Sequence, residues 1–154
     1  MKSTMEMNLE ENPKSVEVQV YILAPLEKVW EVWTNPAYIT KWYIAHEEWH
    51  TPLAEVDLVV GGQFRFQMVE KSEDGMVVDF TGTYTQILPL SQVDYRISDG
   101  RKVSTWFRHK LGITHVKQQF EPETHHPAKF QKVGWQNILD NFKLFVSSEN
   151  GTAK

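Results

Sequence analysis

Between residues 127 and 146 the apolar side chains recur every three or four positions. Trp135, Ile138, Leu139, Phe142, Phe145 and Val146 fall on one helical face, and Lys132, Gln136, Asn137, Asp140 and Lys143 fall largely on the other. The spacing predicts a long amphipathic helix with Pro127 in its first turn and Ser147, Ser148, Asn150 and Gly151 as its exit. Upstream, the period changes to two. Residues 16–22 alternate Val16, Val18, Val20 and Ile22 against polar neighbours, a strand with one buried face. Pro25 then opens a short helix in which Val29, Trp30 and Trp33 share a face, and Asn35 can cap a second one from 36 to about 42.

Residues 43–60 show little period, although VDLVVGG at 56–62 reads as a strand running into a glycine pair that marks a bend or bulge. Alternation returns with Phe64, Phe66 and Met68, and Asp74-Gly75 signals a hairpin into a strand with Val78, Phe80 and Tyr84 on one face. A turn at Pro89 to Ser91 leads to Val93, Tyr95 and Ile97. Asp99-Gly100 turns the chain into Val103, Thr105 and Phe107, and Gly112 turns it into Val116, Gln118 and Phe120. Hairpin linkage throughout makes the expected class α+β: about seven antiparallel strands in a curved sheet around one long C-terminal helix, with two short helices after the first strand. Residues 1–14 read as a disordered tail, 15–148 as one domain and 149–154 as a second tail.

Composition narrows this picture. At 154 residues, 41 % hydrophobic and 12 % aromatic, the chain can bury one substantial core. Its 16 Lys and Arg are scattered among 20 Asp and Glu for a net charge of −4, which argues against a nucleic-acid partner. No apolar run approaches the roughly 20 residues of a membrane span, and the opening stretch lacks a signal-peptide core. With no cysteine, disulfides and thiolate metal sites are excluded, and a cytoplasmic location is expected.

The most tempting chemistry is His46-Glu47-Glu48-Trp49-His50, an H-E-x-x-H pattern. A zinc hydrolase needs both imidazoles on one helical face and a third ligand, and Pro52 argues against the helix, so the match reads as coincidence. His125-His126 reads as an exposed loop pair. Gly134 inside the long helix costs about 1 kcal/mol relative to alanine. Either it makes room for a tryptophan from the short helices or it touches a ligand directly. No nucleophile–base pair or phosphate-cradling loop is legible, and neither metal nor cofactor is expected.

Several stretches together resemble a known family: PLEKVWEVWTNP at 25–36, KW at 41–42, WHTPLAEVDLVVGGQFRF at 49–66, DFTGTY at 79–84, SDGRKV at 98–103 and GWQNILDNF at 134–142. They resemble the helix-grip proteins of the START-like (SRPBCC) superfamily, and within it the branch named for the activator of the heat-shock chaperone ATPase, over about residues 16–146. The resemblance implies an elongated cavity between sheet and long helix that relatives use for apolar or aromatic small molecules. Phe64, Phe66, Met68, Phe80, Tyr84, Tyr95, Phe107, Gln118, Phe120, Trp135, Leu139 and Phe142 are the candidate ligand-binding residues. The Tyr84 and Tyr95 hydroxyls and the Gln118 amide are the polar atoms placed to orient a ligand. A void of roughly 100 Å³ would cost about 2 kcal/mol, which a protein has little reason to keep unused. The expected function is binding of a small apolar or aromatic molecule without covalent chemistry. The rivals are a cyclase- or dehydrase-like enzyme using the same cavity and a chaperone-associated interaction module with an exposed apolar patch.

Overall fold

A computed structural model describes residues 13–152, with side chains to residue 149; the expected tail at 1–14 lies almost wholly outside the described residues. Strand β1 (Val16–Ile22) is followed by helices α1 (Leu26–Thr34) and α2 (Pro36–Trp42). Six strands come next: β2 (Trp49–Val56), β3 (Gln63–Glu70), β4 (Val77–Leu88), β5 (Gln92–Ile97), β6 (Lys102–Lys110) and β7 (Ile113–Phe120). Helix α3 (Ala128–Thr152) closes the chain. The strands form one antiparallel sheet in the order β1-β7-β6-β5-β4-β3-β2, curled into a half-barrel around α3. The expected α+β helix-grip architecture is therefore present.

Local chemistry accounts for the element ends. Asn35 serves twice, its N–H donating to Glu31 O at 3.0 Å to close α1 and its Oδ1 accepting from Ala37 N at 2.9 Å to open α2. Trp42 Nε1 donates to Val32 O at 3.0 Å, locking the two helices at an angle. Two expectations are corrected. The strand before the glycine pair is 49–56 rather than 56–62, and residues 57–62 form the turn between β2 and β3. Helix α3 continues through Ser147, Ser148, Asn150 and Gly151 to Thr152, because two serines supply no αL stop and the preceding turns are held by packing.

The concave face carries the core. Val18, Ile22, Val103, Val116 and Phe120 from the sheet meet Leu139, Phe142 and Val146 from α3, all nearly inaccessible. Burying side chains of this kind stabilises the fold by about 1.5–3 kcal/mol each. Around them Trp33 stacks on Trp42 at 5.1 Å, and Phe142 meets the two rings edge-on at 5.0 and 4.7 Å. On β4, Phe80 and Tyr84 face inward as expected, but Val78 is exposed near the hairpin end, where no helix covers it. The outer edge of β1 is also managed. Gln136 of α3, expected on the solvent side, pairs its amide with that strand, donating to Gln19 O at 3.0 Å and accepting from Gln19 N at 3.3 Å.

Candidate functional site

The glycine pair positions one wall of the interior. Gly61 adopts φ +87 and its N–H donates to Tyr84 O at 2.8 Å, while Tyr84 N–H donates to Gly62 O at 2.9 Å. A Cβ on Gly62 would lie 2.1 Å from Asp57 O, so glycine is required there. Pinned in this way, Tyr84 joins Phe64, whose ring also lies 4.7 Å from Tyr95 and 5.5 Å from Phe80. The Phe64 ring rests on Gly82, where a Cβ would meet Phe64 Cε2 at 2.5 Å. Opposite, Trp135 of α3 stacks flat on Phe120 at 4.1 Å and meets Phe80 edge-on at 6.2 Å.

Between these walls lies a cleft bordered by six of the candidate residues: Phe64, Phe66, Tyr84, Tyr95, Gln118 and Trp135. Its free volume is only about 30 Å³, room for one or two waters. The other candidates sit elsewhere. Phe80 and Phe120 back Trp135, while Phe107 and Phe142 pack on Trp33. Leu139 is fully buried. Met68 borders a separate, wider pocket of about 260 Å³, with Ile44, His46, Trp49 and Val78. Tyr43 borders both spaces and forms the partition between them.

Tyr43 is the hydroxyl-bearing ring of the cleft that sequence reasoning missed, because it is the C-cap of α2 and opens a stretch without period. Its backbone is tightly fixed: Thr51 Oγ1 donates to Tyr43 O at 2.5 Å, and Asn137 and Asn141 of α3 donate to the carbonyls of Ala45 and Ile44. Burial pushes the Tyr43 hydroxyl well above the ordinary phenol range. Burial, and then the charge of Asp57, does the same to Tyr84. For Tyr95, burial followed by the nearby Tyr43 and Tyr84 outweighs the opposing pull of Arg101. All three are neutral phenols at neutral pH, so they act as hydrogen-bonding groups and not as bases.

None of these hydroxyls pairs with another group among the described residues, whereas every fully enclosed side-chain nitrogen or oxygen has a partner. The three oxygens therefore face free space. The Gln118 amide donates one N–H to Thr105 Oγ1 at 3.0 Å, which leaves its second N–H and its carbonyl oxygen as the groups available to the cleft. Among the described residues no charged side chain borders the inner cleft.

The remaining motifs fall outside it. His46 to Glu48 lie in a loop and His50 in β2, so the two imidazoles share no helical face, and no three His, Asp or Glu gather among the described residues. His126 Nδ1 lies 2.9 Å from Glu123 Oε1 in the loop before α3, with both histidines exposed. At Gly134 a Cβ would meet nothing within 4 Å, so this glycine makes no room for a tryptophan and borders open space. No helix among the described residues is long and apolar enough to cross a membrane.

The curled sheet gripping a C-terminal helix over an aromatic cleft defines a helix-grip protein, a fold that commonly binds hydrophobic ligands. The chain belongs to the family described as Activator of Hsp90 ATPase homolog 1-like protein, which matches residues 23–147. It is similar to an AHSA1-like protein from Aeromonas hydrophila solved by NMR, at 38 % identity over 88 % of this chain and 94 % of that one, TM-score 0.83. A solution structure from Cytophaga hutchinsonii is 40 % identical over 90 % of this chain and 94 % of its own, TM-score 0.72. CalU16 from Micromonospora echinospora shares the fold at 19 % identity, 90 % and 79 % coverage and TM-score 0.63. No curated protein sequence matches.

Proposed function

We propose that the protein binds a small apolar or aromatic molecule with at least one hydrogen-bonding group in the cleft between sheet and α3, without covalent chemistry. The observation that carries this reading is the set of unpaired Tyr43, Tyr84 and Tyr95 hydroxyls in an otherwise aromatic enclosure. These hydroxyls face the free space of the cleft and are left to water, so an occupant that bonds to them replaces those water contacts while burying its apolar surface on the surrounding rings. The uncharged lining supports binding over acid–base catalysis, since it offers neutral donors and acceptors and no proton-accepting side chain. An occupant larger than water requires the cleft to widen, and the pocket beyond Tyr43 supplies the adjoining space.

The test is native mass spectrometry on protein purified from its own host, followed by denaturation and identification of anything released. A co-purifying organic molecule of low polarity supports the reading and names its class. Protein that is empty, and that also fails to bind 1-naphthol in a fluorescence titration, overturns it. The weight then moves to an interaction surface around Met76 and Val77, which are 60 % and 56 % exposed beside Val78 at the β3–β4 hairpin.

A further inference from the structure

On the convex side of the sheet, strand register assembles a set of residues that the interior cleft does not use. Tyr21, His115 and Arg108 stand in one row across β1, β7 and β6, and Gln19, Lys117 and Trp106 stand in the next. Tyr21 and His115 stack at 4.3 Å with 6° between their planes, and Lys117 Nζ lies 5.1 Å from the Trp106 ring centre. His115 Nε2 is 2.7 Å from Gln19 Oε1, which commits that nitrogen and leaves Nδ1 open. Between the rows is a hollow of about 190 Å³ bordered by Trp106, Arg108, His115 and Lys117.

We propose that this hollow is a second binding site, for a small planar anion: an aromatic ring bearing a phosphate or carboxylate. The charge argument is local. The whole chain carries −4, yet here two cations and an imidazole converge. Glu17 approaches Lys117 only at 3.9 Å, and the Arg108 side chain has no hydrogen bond or ion pair among the described residues. Burial, then Lys117 and Arg108, lower the affinity of His115 for a proton by more than Glu17 raises it, so positive potential stands unneutralised at the hollow. A guanidinium with a free planar fork suits a carboxylate or phosphate, and the Trp106 ring supplies a surface for an aromatic group. The site is separate from the interior cleft, and its failure leaves the reading of that cleft untouched.

The experiment is an NMR titration of the intact protein, following the His115 imidazole and Trp106 indole resonances. Phenyl phosphate and benzoate are the probes, with phenol and inorganic phosphate as controls. An anion that binds the imidazolium form about tenfold more tightly raises the His115 midpoint by about one unit. Either probe, whichever head group the site prefers, is expected to do this and to shift Trp106. Arg108→Gln, at an exposed position, is expected to weaken that binding about tenfold. In the free protein the same variant raises the His115 midpoint by removing a positive neighbour, which verifies the geometry independently of any ligand. No shift at about 10 mM of either probe, enough to load a millimolar site, overturns the proposal. Phenol acting as strongly as phenyl phosphate overturns the need for charge, and inorganic phosphate binding as tightly overturns the need for the ring.

Discussion

Gly82 shows how one residue sets the shape of the interior. Its missing side chain lets the Phe64 ring lie against β4, with Arg96 O only 2.7 Å from where a Cβ would stand on the other side. Gly82→Ala must push one or both away, and overpacking of this kind costs typically 1–3 kcal/mol. Urea denaturation is expected to show that loss; an unchanged midpoint would mean that Phe64 does not rest on the strand. The tyrosines make a prediction in pH. Their folded pKa values are raised, and the charged form of a phenol is the deprotonated one. Above about pH 10 the unfolded chain therefore releases protons that the folded chain retains, and stability falls as pH rises. Below that pH their contribution is fully present. Tyr95→Phe is expected to reduce the loss between pH 8 and 10.5, measured by denaturation at both values. An equal loss in the variant would show that Tyr95 ionises freely in the folded protein.

At the scale of elements, Gln136 joins α3 to the free edge of β1 through two hydrogen bonds made by one amide. Gln136→Ala removes both from an edge strand, with an expected cost of about 1–2 kcal/mol and faster amide exchange at Gln19. Unaltered exchange there would show that the edge is protected by packing alone. The periods that sequence reading depends on were clear where one face is buried and the other wet, as along Val16 to Ile22 and Val93 to Ile97. They failed at residues 49–56, where a register irregularity between His50 and Leu53 breaks the alternation and the VDLVVGG run attracts the strand assignment instead. They failed again at the end of α3, because serines weaken a helix without stopping it. Within the site, Phe64, Phe66, Tyr84, Tyr95 and Gln118 were legible from alternation and Trp135 from helical spacing. Alternation reports only which face is inward. It does not separate residues that border a cleft from those behind them, so Phe107 and Phe120 carried the same signal, as Phe142 did in the helical spacing.

For the molecule as a whole, the decisive feature is that its interior space is divided. The inner cleft holds about 30 Å³ and the outer pocket about 260 Å³, and the Tyr43 side chain stands between them. The Tyr43 backbone is held by β2 through Thr51, and the loop that follows it by α3 through Asn137 and Asn141. The Tyr43 ring, packed against Trp42 at 5.5 Å and Phe66 at 4.8 Å, is thus the side chain whose truncation tests whether the spaces join. Tyr43→Ala removes the partition and is expected to destabilise the protein by about 3–5 kcal/mol, by analogy with truncation of other large buried rings. It should also create one continuous apolar chamber. 1-Naphthol should bind this variant more tightly than it binds Tyr43→Phe, which lacks the same hydroxyl but keeps the partition, with near-UV circular dichroism confirming an ordered core. Tyr43→Phe separates the two roles of the residue. It keeps the partition but removes one hydroxyl, so stability should be nearly retained while affinity falls by about tenfold, the worth of one buried hydrogen bond near 1.4 kcal/mol. Binding by Tyr43→Ala that is weaker than by Tyr43→Phe, with its core intact, would mean that the two spaces do not communicate through this residue.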